Sequence, residues 1–460
     1  MSPIILLSLF LLPMISKAST PPLQLSLHLH SHSPPLSSQT QQQHPLLPLS
    51  VSSLLRATIL KNLTHSHSHP NPNTSPSLSP LLPPLLRWLL PLPLPRLPSP
   101  SLPLPLRHRQ PPLLAPLLPL LPLPSLPPFP SSPSPLPLYF PNSSFSSRLV
   151  GCRNPSCYWI HPSHSCPYNT TLCSPYLLVY GSGSTGGLLV LDKLNLPGQT
   201  LPNFMFGCSL FSDRQPPAGL AGFGRGSPSV PSQLGLTRFA YCLVSRKFDD
   251  DSAVSGSIFL GGSADVPLAS KDLQFIPFVQ NPTKSLPFSV YYYVALRKIT
   301  VGGKKVQLQT KALYPGHAGD GGSIIDSGTT FTYMEPTPFH SLVDTFTQVI
   351  GGRYNRSALI ESRTGLKPCF SLPTKTSQLE LPQLVFHFKG GAAMKLPVEN
   401  YFVVADAGAV CLAIVTDGAA RHGASGPSII IGSFQQQNYY MLYDLAGERL
   451  GFRQQNCVRH

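Results

Sequence analysis

Carboxylates are missing from the first part of this 460-residue chain: no Asp or Glu precedes Asp192. Any acid–base chemistry that needs a carboxylate must therefore come from later residues. Uninterrupted apolar runs are missing too. Leucine is abundant before residue 140, but proline breaks it too often for a membrane-spanning helix, which needs about 20 mostly apolar residues with internally satisfied amides. Dense Lys/Arg runs are absent as well, which argues against nucleic acid as a partner. The net charge of +15 is unevenly spread, because nine Lys or Arg stand unbalanced before Asp192. The rest carries 24 basic against 18 acidic residues, a mildly basic globular composition.

The first third divides by composition. Residues 1–18 read as a secretory signal: Ile4 to Ile15 is a short apolar core, and Ser16-Lys17-Ala18 ends in small residues. Residues 19–69 are polar, propeptide-like or disordered, with one helical patch at 51–60. Residues 70–141 hold 26 of the 56 prolines. Proline removes amide donors and blocks helix and central-strand geometry, so the low-complexity segment 70–138 cannot build a regular core. Five Asn-x-Ser/Thr sequons, at Asn62, Asn73, Asn142, Asn169 and Asn355, fit a secreted chain.

From Tyr139 onward the texture is short β segments broken by Gly, Pro, Asn and Asp. Residues 176–180 and 187–191 predict a hairpin around the Gly181-Ser182-Gly183-Ser184 turn. Further strands are predicted at 204–206, 257–260, 290–301, 323–325, 384–388, 410–415, 428–431 and 440–444. One helix is predicted, over 337–349. Many short strands and few helices make a mostly-β fold.

Within this pattern, Ser323-Ile324-Ile325-Asp326-Ser327-Gly328-Thr329-Thr330 is an apolar strand running into a tight polar loop. Such a loop can hold one carboxylate at the floor of a cleft. Taken alone, an aspartate there is a turn residue capping nearby amides. Asp192, Asp213 and Asp320 read as turn or strand-end residues. An internal echo pairs Leu220-Ala221-Gly222-Phe223 with Ile430-Ile431-Gly432-Ser433, as two related lobes would.

Together these segments resemble the pepsin-like (family A1) aspartic proteases, in the cysteine-rich, nepenthesin-like form of plants. Tyr180-Gly181-Ser182-Gly183-Ser184, Phe206-Gly207-Cys208, Gly219 to Gly226, Phe239 to Leu243, Gly321 to Thr330, Ile429 to Gln436 and Asp444 to Phe452 stand in the family's order. The resemblance implies a bilobal acid-protease fold, with a remnant N-terminal lobe at 139–270 and a C-terminal lobe at 271–460. It implies Asp326 as a catalytic carboxylate, supported by Ser327, Gly328 and Thr329, with Tyr180 and Gly181 in a flap over substrate. The substrate would be a peptide or protein, the chain a monomer without cofactor or metal, and its location extracellular (cell wall) or vacuolar. The chemistry needs two close carboxylates sharing one proton: one deprotonates a water, the other hydrogen-bonds the developing oxyanion. The first Asp-Thr-Gly loop should precede Asn142, where the Pro/Leu segment stands instead. The N-terminal lobe is therefore incomplete.

The resemblance further implies the disulfides Cys152–Cys173, Cys157–Cys166, Cys242–Cys457 and Cys369–Cys411, leaving Cys208 as the odd one of nine cysteines. A zinc site for the first four is disfavoured, since they lack a Cys-x-x-Cys knuckle. Two other functions stay open: a non-catalytic binder on the same fold, inhibiting glycosidases, and a Pro-rich wall protein, the latter weakened by the absence of a fixed repeat. A frame-shifted or mis-spliced gene explains how the family texture vanishes near residue 75 and resumes near 139. Transcript sequencing should then reveal an Asp-Thr/Ser-Gly loop and an added cysteine in that interval; reads reproducing the Pro/Leu segment would refute this.

Overall fold

The computed structural model describes the backbone of residues 23–27 and most of 139–458, apart from 163–170, 181–182, 197–198, 214–218, 246–255, 262–271, 284–286, 374–378, 407 and 418–425. The expected signal, the 51–60 helix and the Pro-rich segment lie outside the described residues.

A six-stranded antiparallel sheet joins early and late parts of the chain. Its order is Leu23–Leu27, Gly256–Leu260, Arg238–Cys242, Tyr439–Asp444, Arg449–Gln454 and Gln274–Pro277. Tyr440 lies opposite Cys242, and the Cys242–Cys457 disulfide fastens that edge. Phe239 stacks on Tyr443 with ring centroids 4.5 Å apart, inside one large apolar core. The sheet's buried charge is Asp444, which accepts from Arg238 Nε at 3.0 Å and Arg449 Nε at 2.8 Å.

Strands Ile414–Val415, Thr332–Met334, Ile429–Ile431, Ser323–Ile325 and Tyr292–Val294 form one sheet. Two of its pairings are parallel, Ser323–Ile325 with Ile429–Ile431 and Thr332–Met334 with Ile414–Val415. A buried sheet of this kind reads as continuous apolar residues, and Ile429, Ile430 and Ile431 fit that pattern. The predicted helix is Pro336–Ile350. Proline at its start costs no hydrogen bond, and Phe339, Leu342, Val343, Phe346 and Ile350 make its buried stripe.

Two sequence expectations split on contact with the fold. The run 290–301 becomes Tyr292–Val294 and Leu296–Val301, which belong to different sheets. Likewise 410–415 becomes Ala409–Leu412 and Ile414–Val415. One apolar run can serve two sheets, and its periodicity does not mark the crossing. Helices Pro155–Ile160 and Ala358–Thr364 escaped prediction, being too short to show a period.

The early half is thin. Strand Gly183–Leu196 pairs with Arg148–Leu149, Tyr176–Tyr180 and Gln199–Asp213. Val150, Cys157, Cys173, Tyr176, Leu189, Leu191 and Met205 are its buried cluster. Around them Leu177, Leu210, Phe211 and Leu220 are half or more exposed. The first two expected disulfides need correction. Cys157 bonds Cys173, with Cα atoms 5.7 Å apart, in place of Cys152–Cys173 and Cys157–Cys166. The Pro155–Ile160 helix turns Cys157 inward toward Cys173. Cys152 is disulfide-bonded, and Cys166 lies outside the described residues. Cys369–Cys411 and Cys242–Cys457 are present, and Cys208 is free.

The Asp444 carboxyl should link stability to pH. Burial alone would raise its pKa, but the hydrogen bonds from Arg449 and Arg238 prevail and hold it below the ordinary value. The stabilisation is therefore full above the ordinary carboxylate range and lost as pH falls through the lowered folded value. Both arginines keep some solvent contact, so Asp444→Asn should cost about 2–3 kcal/mol near neutral pH, less than a fully buried pair. Denaturant midpoints should show that gap closing as the pH falls below the ordinary carboxylate range.

Candidate active site

Asp326 follows the Ser323–Ile325 strand at the point where the parallel partner Ile429–Ile431 also ends. Its backbone N–H donates to Ile431 O at 3.0 Å, extending the ladder one residue into the loop. Its carboxylate is held at both oxygens: Gly328 N–H donates to Oδ1 at 3.0 Å and Thr329 Oγ1 to Oδ2 at 2.6 Å. Thr329 is fully buried, whereas Ser327 and Gly328 are exposed and Asp326 is half-buried. The loop thus presents a fixed carboxylate outward while its support is sealed below.

That support is a relay of buried side chains. Ser433 N–H donates to Thr329 O at 2.7 Å and Phe434 N–H to Thr330 O at 2.9 Å. Gly432 N–H donates to Thr332 Oγ1 at 3.1 Å, which donates to Gln435 Oε1 at 2.7 Å. The Gln435 amide also bonds Asn400 O and Ala413 O, so this buried side chain ties three segments together. Gln436 Nε2 donates to Ile431 O, the acceptor Asp326 N–H uses, and its Oε1 accepts from Tyr241. Burial pushes the Tyr241 and Tyr443 hydroxyls well above their ordinary pKa, with the charge of Asp326 adding to it. They stay protonated beneath the carboxylate. Sequence reasoning gave neither glutamine a role; the run Gln435-Gln436-Gln437 after a strand-ending Ile-Gly is the signal that could have found them, and it is weak.

The internal echo breaks here. A Cβ on Gly432 would lie 2.5 Å from Thr330 O and 2.7 Å from Phe331 C, so the second lobe uses that glycine for close approach to the Asp326 loop. A Cβ on Gly222 would meet no atom of a described residue within 4 Å. Residues 219–223 form no strand, and Leu220 is exposed where Ile430 is buried. Among the described residues no loop packs on Gly222, whose carbonyl accepts from Val230 N–H at 2.8 Å.

The other predicted residues fall as follows. Tyr180 ends the Tyr176–Tyr180 strand opposite Gly183; Gly181 lies outside the described residues. Asp320 is a loop residue 3.7 Å from Lys311 Nζ. Asp213 ends its strand. Asp192, expected as a turn or strand-end residue, is instead a buried acceptor within a strand. It takes Tyr139 Oη at 2.5 Å, Ser146 Oγ at 2.6 Å and Lys193 N–H at 2.7 Å. The Ser146 and Tyr139 hydroxyls hold its carboxyl far below the usual range. Among the described residues no three metal-ligating side chains converge. Asn142 and Asn355 are exposed, while Asn62, Asn73 and Asn169 lie outside the described residues.

Comparison with known proteins decides the family. The xylanase inhibitor N-terminal family matches residues 126–262 and its C-terminal counterpart residues 291–454. Aspartic proteinase nepenthesin-2 of Nepenthes gracilis is 33% identical over 330 residues, 70% of this chain and 69% of that protein. The chain belongs to the pepsin-like plant aspartic protease family. Two solved structures share the fold. The edgp structure has TM-score 0.53 and 22% identity, covering 68% of this chain and 83% of that one. Basic 7S globulin from soybean has TM-score 0.51 and 20% identity, covering 68% and 82%. No helix among the described residues is long and apolar enough to cross a membrane.

The two echo glycines should respond oppositely to one methyl group. Gly432→Ala should cost about 2–4 kcal/mol, the range of severe overpacking, whereas Gly222→Ala should stay within about 0.5 kcal/mol. Urea midpoints of the two variants measure this contrast.

Proposed function

We propose that this chain is an aspartic endopeptidase by descent that carries one catalytic carboxylate, Asp326, and in the present sequence lacks its partner. The observation that carries the reading is the contrast between an Asp326 loop locked against Gly432, with both carboxylate oxygens bonded, and a Gly222 segment on which, among the described residues, no such loop packs. In the complete enzyme, Asp326 would share one proton with a second aspartate and act on a water between them. Gly328 N–H and Thr329 Oγ1 favour the ionised form by bonding it. Tyr180 would close over the substrate from the hairpin and exclude water. A secreted or vacuolar location, glycans at Asn142, Asn169 and Asn355, and a monomeric state belong to the same reading.

A second reading has its own support. The matching families are described as xylanase inhibitors, and an inhibitor need not keep both aspartates. On that reading the cleft binds another enzyme without cleaving it. The bonded Asp326–Thr329 unit favours the protease, because a binder has no need to orient a carboxylate.

One carboxylate cannot serve as base and acid at once, and each role is typically worth about 10²- to 10⁴-fold in rate. The purified chain should therefore show almost no turnover of a denatured protein at acid pH. Restoring a first Asp-Thr-Gly loop should bring activity that Asp326→Asn abolishes with folding, read by circular dichroism, nearly unchanged. Pepstatin-sensitive turnover at ordinary enzyme rates by the present chain would overturn the proposal, as would an active Asp326→Asn in the restored one.

A further inference from the structure

One sheet of the second half, outside the candidate site, presents a cationic outer face. Its order is Lys304–Lys305, Leu296–Val301, Leu384–Phe388 and Ala393–Lys395. Directly opposed residues on neighbouring strands point to the same side, so register assigns the faces. Thr300 lies opposite Lys305 and Val385, and Val385 opposite Lys395. Lys298 lies opposite His387 in the adjacent row. Ile299, Val301, Phe386 and Met394 are buried on the other face, in the main core.

Lys298, Lys305 and Lys395 are exposed and His387 is half-buried. Strand spacing and rise make this patch about 14 Å by 7 Å. Near its middle, Thr300 Oγ1 and His387 Nε2 are hydrogen-bonded at 2.9 Å. The imidazole reports the local field: burial and then Lys298 and Lys395 hold its pKa below the ordinary value.

We propose that this face binds an extended polycarboxylate, a polyuronate chain laid across the strands. Charge complementarity carries the argument. Lysine ammonium groups are point charges suited to single carboxylates spaced along a polymer, whereas phosphate-rich partners favour clustered arginine forks, and the patch has three lysines against one arginine, Arg297, exposed at the bulge beside Lys298. Single-stranded nucleic acid would call for stacking aromatics, and an anionic membrane for apolar side chains among the cations. The outer face offers neither, since Val385 is buried. The proposal does not depend on whether Asp326 is catalytic.

The test is affinity electrophoresis of the full chain in gels containing polygalacturonate, at about 0.05 M salt where screening is weak. Retardation is expected. The triple variant Lys298→Glu/Lys305→Glu/Lys395→Glu should weaken binding by about tenfold or more and flatten its salt dependence. The charge-matched triple Arg153→Glu/Lys193→Glu/Lys367→Glu, at exposed positions elsewhere, should bind nearly as the unaltered chain does. A glutamine version of the first triple, with circular dichroism, separates lost binding from lost folding. Equal weakening in both triples would overturn the proposal, because net charge alone would then explain retention. So would absence of retardation in the unaltered chain, or tighter binding to single-stranded DNA or anionic vesicles abolished by the same triple.

Discussion

The parallel pairing of Ser323–Ile325 with Ile429–Ile431 is the constraint on which the candidate site depends. Both strands end together, and the next residues, Asp326 and Gly432, lock one loop against the other. Asp326 N–H continues the ladder onto Ile431 O, while Gly432 has no side chain and lets Thr330 and Phe331 approach. Thr329, Thr332, Gln435 and Gln436 then satisfy the polar groups that this approach buries. Preorganisation of this kind lets a carboxylate hold its position without rearranging during a reaction.

Around Gly222 no such partner loop is present among the described residues. The Gly222 segment stays irregular, Leu220 faces outward, and Cys208 is free. The first lobe's remaining order comes from two other sources. The Cys157–Cys173 disulfide closes a small cluster, and Asp192 gathers Tyr139, Ser146 and Lys193 at one end of the long hairpin. The central sheet is less affected, since the Arg238–Cys242 strand is held by Tyr439–Asp444 and by a disulfide to Cys457.

Much of the architecture could be read from residues alone where one apolar run serves one sheet. The strands Ser323–Ile325 and Leu384–Phe388 match their expected ranges, and the helix Pro336–Ile350 extends its own by one residue at each end. Where a run crosses between sheets, as at Ala295 and Ala413, the pattern hid the break. The Asp326 loop was legible because its neighbours are short polar residues in a tight motif. Gln435 and Gln436 were not, since a buried glutamine declares itself only through bonds to residues far away in sequence. The nested cysteine loops failed for the same reason: spacing cannot say that a six-residue helix turns Cys157 toward Cys173. Asp192 looked like a strand end because its partners Tyr139 and Ser146 lie about 50 residues earlier.

The central claim is that the Asp326 loop is locked against Gly432, whereas among the described residues no loop packs on the Gly222 segment. Native-state hydrogen exchange reads this residue by residue, since protection follows burial and hydrogen bonding of each amide. The account predicts slow exchange at Asp326, Gly432, Ser433 and Phe434, and fast exchange at Leu220, Ala221 and Gly222. Equal protection of the two segments would contradict it, because the first lobe would then hold a brace of its own.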